Sequence, residues 1–407
     1  MNGGNNMRKL AAVILGVTML ATVFTGCGKK ANENNGNPPS GATVTEVPSS
    51  EGENKGNNEG KKEALKIAIV SSPSGVDDGN FNQDNYTGIL NFIKNHPDAT
   101  VTPVKEPTGD TTAAIQAVAD IVADYDVIVC CGFQFAGIGT LAQDNPNVDF
   151  ILVDAYPIDA EGNEITVENI YAMQFAEQES GFFAGMAAAL ESKTKKVALV
   201  SGIAYPSNVN YQFGFESGVN YANKKYDTGV TLIQLPSYAG TDVTGANVGG
   251  NYVGSFSDEA TGKVVANALI KEGVDVIFVS AGGSGNGVFT AIKEATNVKA
   301  IGCDVDQYDD GVNGSNNIIL TSALKVMSKN VEKQLNAVVD GTFTGQNALL
   351  KADTDSTGFV ATEGRQQMSA ETIEKLEAAY ELVKNGTIVP AANFNGIKSD
   401  SFPGLDK

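Results

Sequence analysis

Residues Asp275–Tyr308 read DVIFVSAGGSGNGVFTAIKEATNVKAIGCDVDQY, and the fold follows from how that stretch is parsed. An apolar strand, Asp275 to Ser280, runs into a glycine-rich turn, Ala281 to Gly287. The pattern then predicts a helix from about Val288 and a second strand, Lys299 to Cys303, ending on Asp304 and Asp306. Strands joined by a helix lie parallel, and open α/β sheets hold ligands beyond the carboxyl ends of their strands. The stretch supplies two such ends, one rich in backbone N–H groups and one in carboxylate. It therefore predicts one wall of a site for a small polar ligand.

The turn Gly283-Ser284-Gly285-Asn286-Gly287 invites a nucleotide, but the spacing argues against one. A dinucleotide fingerprint needs a third glycine, and Val288 or Thr290 stands there, depending on the starting glycine. No Gly-Lys-Ser/Thr follows, so it is not a P-loop. Backbone N–H groups at a helix N-terminus, approaching ligand hydroxyls, are the better reading. Asp304-x-Asp306-x-Tyr308 begins like a calcium loop, yet Tyr308 and Asp309 occupy the fifth position and the obligatory glycine position. Asp304 is then a ligand acceptor or an ordinary turn and cap charge.

Working outward, Leu65 to Val70, Thr100 to Val104, Asp126 to Cys131 and Asp149 to Asp154 read as strands separated by amphipathic helices. That alternation implies a parallel sheet covered on both faces. After a strand near Asn169 to Phe175 and a small-residue helix, Glu179 to Leu190, the βα pattern restarts at KKVALVSG. Two runs predict two lobes: residues 65–176, completed by about 304–350, and residues 177–303, completed by about 351–395. A strand at Ile318 to Leu324 is expected to return to the first lobe. Hinge positions are expected near Phe175, Cys303 and Leu324.

Composition narrows the function. The chain has 407 residues, a formal charge of −20 and one histidine, His96. Phosphate backbones require a basic face, so nucleic acid is not an expected partner. Histidine triads and multi-histidine metal sites are nearly excluded, and no cofactor is expected. Cys130, Cys131 and Cys303 sit in apolar runs and read as small buried residues. Cys27 differs. Arg8 and Lys9 precede an apolar run, Leu10 to Phe24, followed by Thr25-Gly26-Cys27, which resembles a lipoprotein signal at 1–27 with Cys27 as the lipidated residue. Residues 28–64 are Asn, Gly, Ser, Pro, Glu and Lys with few large apolar side chains, a disordered tether. By the square-root rule it reaches on the order of 30–35 Å.

Two further loops carry chemistry. Asp77-Asp78-Gly79-Asn80-Phe81-Asn82-Gln83 lies at the carboxyl end of the first strand, where Asp and Asn cap helices and Phe81 either stacks on a ligand or staples its own helix. Tyr211 occupies the corresponding βα loop of the second lobe, and two aromatics across a cleft can sandwich a planar ring.

Together, Asp77–Gln83, Cys131–Ala136, Glu177–Ala189, Gly214–Asn223, Asp275–Phe289, Ile301–Gln307 and Leu320–Lys325 resemble the basic membrane protein family of lipoprotein substrate-binding proteins, with its purine-nucleoside receptors. The resemblance implies an α/β, type I periplasmic-binding-protein fold: two doubly wound parallel-sheet lobes with three crossovers. It also implies a nucleoside ligand, an ABC transporter permease as partner, and a monomer anchored by lipid on the extracytoplasmic face of the cell membrane. Carried onto this sequence, Phe81 and Tyr211 stack on the base, while Asp78, Asn82 and Asp154 bond its edge. Asp304 accepts from the ribose hydroxyls beside backbone at Gly282 and Gly283, and Lys325 donates to the sugar. The chain departs from the family at Tyr211, where Phe is usual, and over Ile203 to Asn210. No arginine cluster is present to neutralise a phosphate. Competing readings are a sugar or autoinducer binder of the same fold, a ligand-sensing lipoprotein, and a nucleoside hydrolase. The last needs a metal cluster or activated nucleophile that the sequence does not display.

Overall fold

The computed structural model describes residues 64–402, apart from residue 394. The expected signal at 1–27, with Cys27, and all but the last residue of the tether at 28–64 lie outside the described residues. The first lobe begins with β1 (Lys66–Ser71), α1 (Phe81–Asn95), β2 (Thr100–Lys105), α2 (Thr111–Ala119), β3 (Val127–Cys131), α3 (Gly139–Asp144), β4 (Asp149–Val153) and β5 (Ile170–Phe175). The second takes α4 (Glu177–Glu191), β6 (Lys196–Ser201), α5 (Pro206–Tyr226), β7 (Thr231–Leu232) and a small hairpin, β8 (Gly240–Thr241) with β9 (Asn247–Gly249). It continues through α6 (Glu259–Lys271), β10 (Val276–Ser280), α7 (Ser284–Glu294) and β11 (Lys299–Asp304). A hairpin of β12 (Val312–Asn313) and β13 (Asn316–Asn317) precedes β14 (Ile319–Lys325). Then come α8 (Met327–Val339), β15 (Gln346–Leu350), β16 (Thr357–Phe359) and α9 (Ala370–Lys384). Among the described residues no helix is long and apolar enough to cross a membrane.

The two six-stranded sheets share one plan. Their orders are β15-β5-β4-β3-β1-β2 and β16-β14-β11-β10-β6-β7. Every pairing in the first is parallel, and in the second only β16 runs antiparallel, to β14. The continuous apolar runs are explained by burial on both faces. Ile67 and Ile69 of β1 pack with Ile89 and Phe92 of α1 and Leu335 of α8, whereas Ala68 and Val70 pack with Ala114 and Val118 of α2 on the other side. Cys130 and Cys131 separate in the same way, as alternation along a strand requires.

The chain passes between the sheets after Phe175, after Lys325 and after Leu350. This revises the expected assignment of residues 304–350. β14 does not return to the first lobe: it pairs with β11 from Ala300↔Ile319 to Asp304↔Leu324 and fills that sheet's next position. Only α8, packed beside α1 and β1, and β15, paired to β5, complete the first lobe. Cys303 is therefore interior to the second lobe and not a crossover. A short apolar strand carries no mark of which parallel neighbour it will join, which is why its sheet could not be read.

Helices α4 and α5 meet backbone to backbone through glycines. A Cβ on Gly181 or Gly185 would run into the carbonyl oxygen of Tyr211 or Phe215, and one on Gly214 or Gly218 into that of Gln178 or Phe182. The motifs Gly181-x-x-x-Gly185 and Gly214-x-x-x-Gly218 are thus packing devices. Gly185→Ala is expected to lower the unfolding free energy by about 1–3 kcal/mol, the usual cost of overpacking. Urea titration of the variant against the parent measures it, and an unchanged midpoint would mean the helices can separate freely.

Candidate functional site

The loops at the carboxyl ends of both sheets converge on one cleft. Ser72, Ser74, Asp78, Phe81, Asn82, Cys131–Gln134 and Asp154 line it from the first lobe. Tyr205, Ser207, Asn208, Tyr211, Phe256, Ser280, Gly282, Cys303, Asp304 and Lys325 line it from the second. The space between these walls is about 610 Å³, counting the solvent at its open mouth.

Asp154, just after β4, and Asp304, the last residue of β11, occupy equivalent places in the two sheets and share an unusual backbone. Their φ angles are 66° and 67°, the left-handed region in which Asp is among the few side chains tolerated. Strain of this kind persists only where surrounding structure enforces it. Asp154 Oδ2 accepts from Lys325 Nζ at 2.6 Å, while Asp154 Oδ1 is buried without a hydrogen-bond partner among the described residues. Asp304 Oδ1 accepts from the Tyr211 hydroxyl at 2.8 Å. Burial pushes the Asp304 carboxyl above the ordinary range, against the pull of Lys325 and Tyr211. Asp306, by contrast, turns away: its Oδ2 accepts from Arg365 Nε at 2.7 Å.

Lys325 is fully enclosed, with its ammonium 5.1 Å from the ring centre of Phe81 and 5.4 Å from that of Phe175. Burial alone disfavours the charge, but Asp154, Glu177 and Asp304 together outweigh it and hold the lysine protonated. Its second ion partner, Glu177 Oε1 at 3.1 Å, escaped the sequence reading although it opens the quoted Glu177–Ala189 segment.

The other expected residues divide. Asp78 and Asn82 line the cleft, yet both work within their own loop. Asp78 accepts from the backbone of Asn80, Asn82 and Gln83 and from Asn82 Nδ2, tying the first turn of α1. Burial pushes its carboxyl up, and those same bonds pull it down. Gly282 lines the cleft, at φ +53°. Gly283 does not: it sits behind the Phe256 loop, where a Cβ would lie 3.0 Å from the Phe256 carbonyl oxygen. Helix α7 begins at Ser284 and not near Val288, and Ser284 N donates to that same carbonyl. Gly287 is a close-packing position against Glu259 of α6.

Tyr211 lies in the second turn of α5 and not in the βα loop expected for it, and it faces the cleft with its hydroxyl. Its ring is buried edge-on against Phe278, 5.6 Å between centres. The partly open aromatic faces at the cleft are Phe81, Phe133, Tyr205 and Phe256. Phe133 of the first lobe and Tyr205 of the second meet at 5.3 Å, and Tyr205 meets Phe256 at 5.9 Å. Ser74 Oγ donates across the same seam to the Phe256 carbonyl oxygen at 3.1 Å. Phe133 and Gln134 lay within the Cys131–Ala136 segment without a role. Phe256 lies in a Gly-Ser loop with no periodicity to mark it. Among the described residues, no group of three or more His, Cys, Asp or Glu side chains is placed to hold a metal ion.

A family model described as ABC transporter substrate-binding protein, PnrA-like, matches residues 65–234 and 244–393. The chain is 30% identical over 305 residues to the ABC transporter nucleoside-binding protein BmpA of Lactococcus lactis, covering 70% of this chain and 78% of that protein. It is 28% identical over 354 residues to basic membrane protein D of Borreliella burgdorferi, covering 84% and 92%. Among solved structures, an ABC transporter solute-binding protein from Aeropyrum pernix superposes with a TM-score of 0.67 at 21% identity, over 82% of this chain and 94% of that one. That likeness is one of fold, the type I periplasmic-binding fold.

Proposed function

The chain belongs to the family of PnrA-like ABC transporter substrate-binding proteins, and from that membership we propose that it captures a purine nucleoside between its lobes and delivers it to an importer's permease. The observation that carries the reading is the pairing of Asp154 and Asp304 at equivalent strand ends of one aromatic-walled cleft. Asp154 Oδ1, buried and without a hydrogen-bond partner among the described residues, suits a donor on the edge of a base. A buried acceptor of this kind costs free energy until something donates to it. Asp304, oriented by Tyr211, has a second oxygen for the hydroxyls of a ribose, and a carboxylate can accept from a vicinal diol. Phe81 and Phe256 supply partly open aromatic faces from opposite lobes, while Tyr211 serves through its hydroxyl. Gly282 contributes backbone, and Lys325 acts by holding the Asp154 carboxylate in place. Lipid attachment at Cys27 and a tether over 28–64 keep the monomer beside its permease, outside the cytoplasm.

The name of the Lactococcus relative agrees in ligand class. Calorimetry against a panel of nucleosides, each beside its free base and free ribose, tests the reading. Purine nucleosides are expected to bind, and the bases or ribose alone much more weakly, because each engages only part of the wall. Tighter binding of a free pentose than of any nucleoside would replace this reading with that of a sugar receptor.

A further inference from the structure

Both side-chain hydrogen bonds of Asp304 fall on one of its two oxygens. Oδ1 accepts from the Tyr211 hydroxyl at 2.8 Å and lies 3.5 Å from the Cys303 thiol, a second donor. Oδ2 has no partner among the described residues. Tyr211, Cys303 and Asp304 all line the cleft, and all three belong to the second lobe. The contact therefore does not depend on how the two lobes meet. Both of its sides are firmly held. The Tyr211 ring is only 3% exposed and edge-on to Phe278, and its backbone packs closely on Gly181 of α4. Asp304 closes β11 at a φ of 67°, paired with Leu324 of β14. Burial, with the Asp304 charge adding to it, keeps the Tyr211 phenol protonated. The hydroxyl thus stays the donor and the carboxylate the acceptor.

We propose that the Tyr211 hydroxyl takes the place of one sugar hydroxyl on Asp304, so that the cleft accepts deoxyribonucleosides alongside ribonucleosides. This inference rests on the nucleoside reading above. A vicinal diol satisfies a carboxylate best when each hydroxyl donates to its own oxygen. Here Oδ1 is already supplied from within the protein, and one sugar hydroxyl is left to meet Oδ2. Two hydroxyls could share Oδ2 only by each giving up its best geometry. Sites reject an analogue that lacks a hydroxyl because a buried polar group is then left unpaired. Loss of the second sugar hydroxyl leaves nothing unpaired at Asp304, because Tyr211 goes on donating to Oδ1. Loss of the first strips Oδ2 of its donor. Asp304 therefore reads one hydroxyl of the pair and is indifferent to the other.

Calorimetry with a purine ribonucleoside and its 2′-deoxy and 3′-deoxy forms tests this. One deoxy form is expected to bind within about tenfold of the ribonucleoside, and the other more weakly than that. Tyr211→Phe removes the oxygen, keeps the ring against Phe278 and leaves Oδ1 to be met by the ligand. In that variant the tolerated deoxy form is expected to fall at least about tenfold further behind the ribonucleoside. A merely structural role for Tyr211 would weaken all three ligands alike and leave their ratios unchanged, which overturns the proposal. So does a parent protein that rejects both deoxy forms by more than about tenfold, or neither of them. Failure of the ribonucleoside itself to bind is a distinct result, which removes the nucleoside reading and the inference with it.

Discussion

Replacing Lys325 by Met is expected to destabilise the protein by about 3–5 kcal/mol at neutral pH, the cost of stripping buried charges of their partner. The size follows from asymmetry. The intact cluster gains little net stability, because the desolvation of each ion consumes most of the attraction. Removing the ammonium restores none of that loss and leaves Asp154, Glu177 and Asp304 facing one another. Met keeps the length of the lysine stem between Phe81 and Phe175, so the loss is electrostatic and not a cavity. The sign of its pH dependence follows. Without the cation, taking up protons relieves the repulsion within the cluster, so the folded state binds more protons than the unfolded one. Stability is then lost as pH rises and regained as it falls. Urea unfolding at about pH 5 and about pH 7.5 should show a clearly smaller deficit at the lower pH. A loss below about 1 kcal/mol at neutral pH would mean that water reaches the cluster and screens it.

Asp304→Ala is expected to weaken nucleoside binding by roughly 2–5 kcal/mol, the range for truncating a buried, hydrogen-bonded charge at an interface. That corresponds to about 30- to 4,000-fold in the dissociation constant. Two effects are mixed in this variant, because Ala tolerates a φ of 67° poorly. Asp304→Asn separates them: Asn accepts the left-handed backbone and retains an oxygen, but loses the charge. An affinity loss in both variants, with the Asn form near parental stability, would assign the effect to the ligand. Unchanged affinity in both would make Asp304 a turn residue held by Tyr211, the bland reading its sequence always allowed.

How much of the site could be read in advance differs residue by residue. Phe81, Asp154, Asp304 and Lys325 each stand at or just past a strand's carboxyl end or at a helix start, and topology sends such positions to a common edge. The inward turn of Asp304 and the outward turn of Asp306 onto Arg365 could not be separated, because the two share one loop and one chemistry. Tyr211 was legible as an aromatic at the cleft. Its edge-on burial against Phe278 depends on a strand far away in sequence. Phe256 lies in a loop and Phe133 opens a short 3-10 helix, Phe133–Ile138, and neither is long enough for hydrophobic periodicity to carry information.

Local chemistry sets what the sequence determines alone. Apolar runs require strands buried on both faces, their alternation with helices requires parallel pairing, and the glycine spacing in Asp275–Tyr308 removes the phosphate-binding alternatives. Tertiary structure decided what depends on partners remote in the chain. β14 joined the second sheet because the edge of β11 was open to it, and Gly283 fell behind the Phe256 loop. The third decision is the ionic cluster: residues 154, 177, 304 and 325 carry no sequence signal of one another, and only the crossovers bring their charges into one water-poor space.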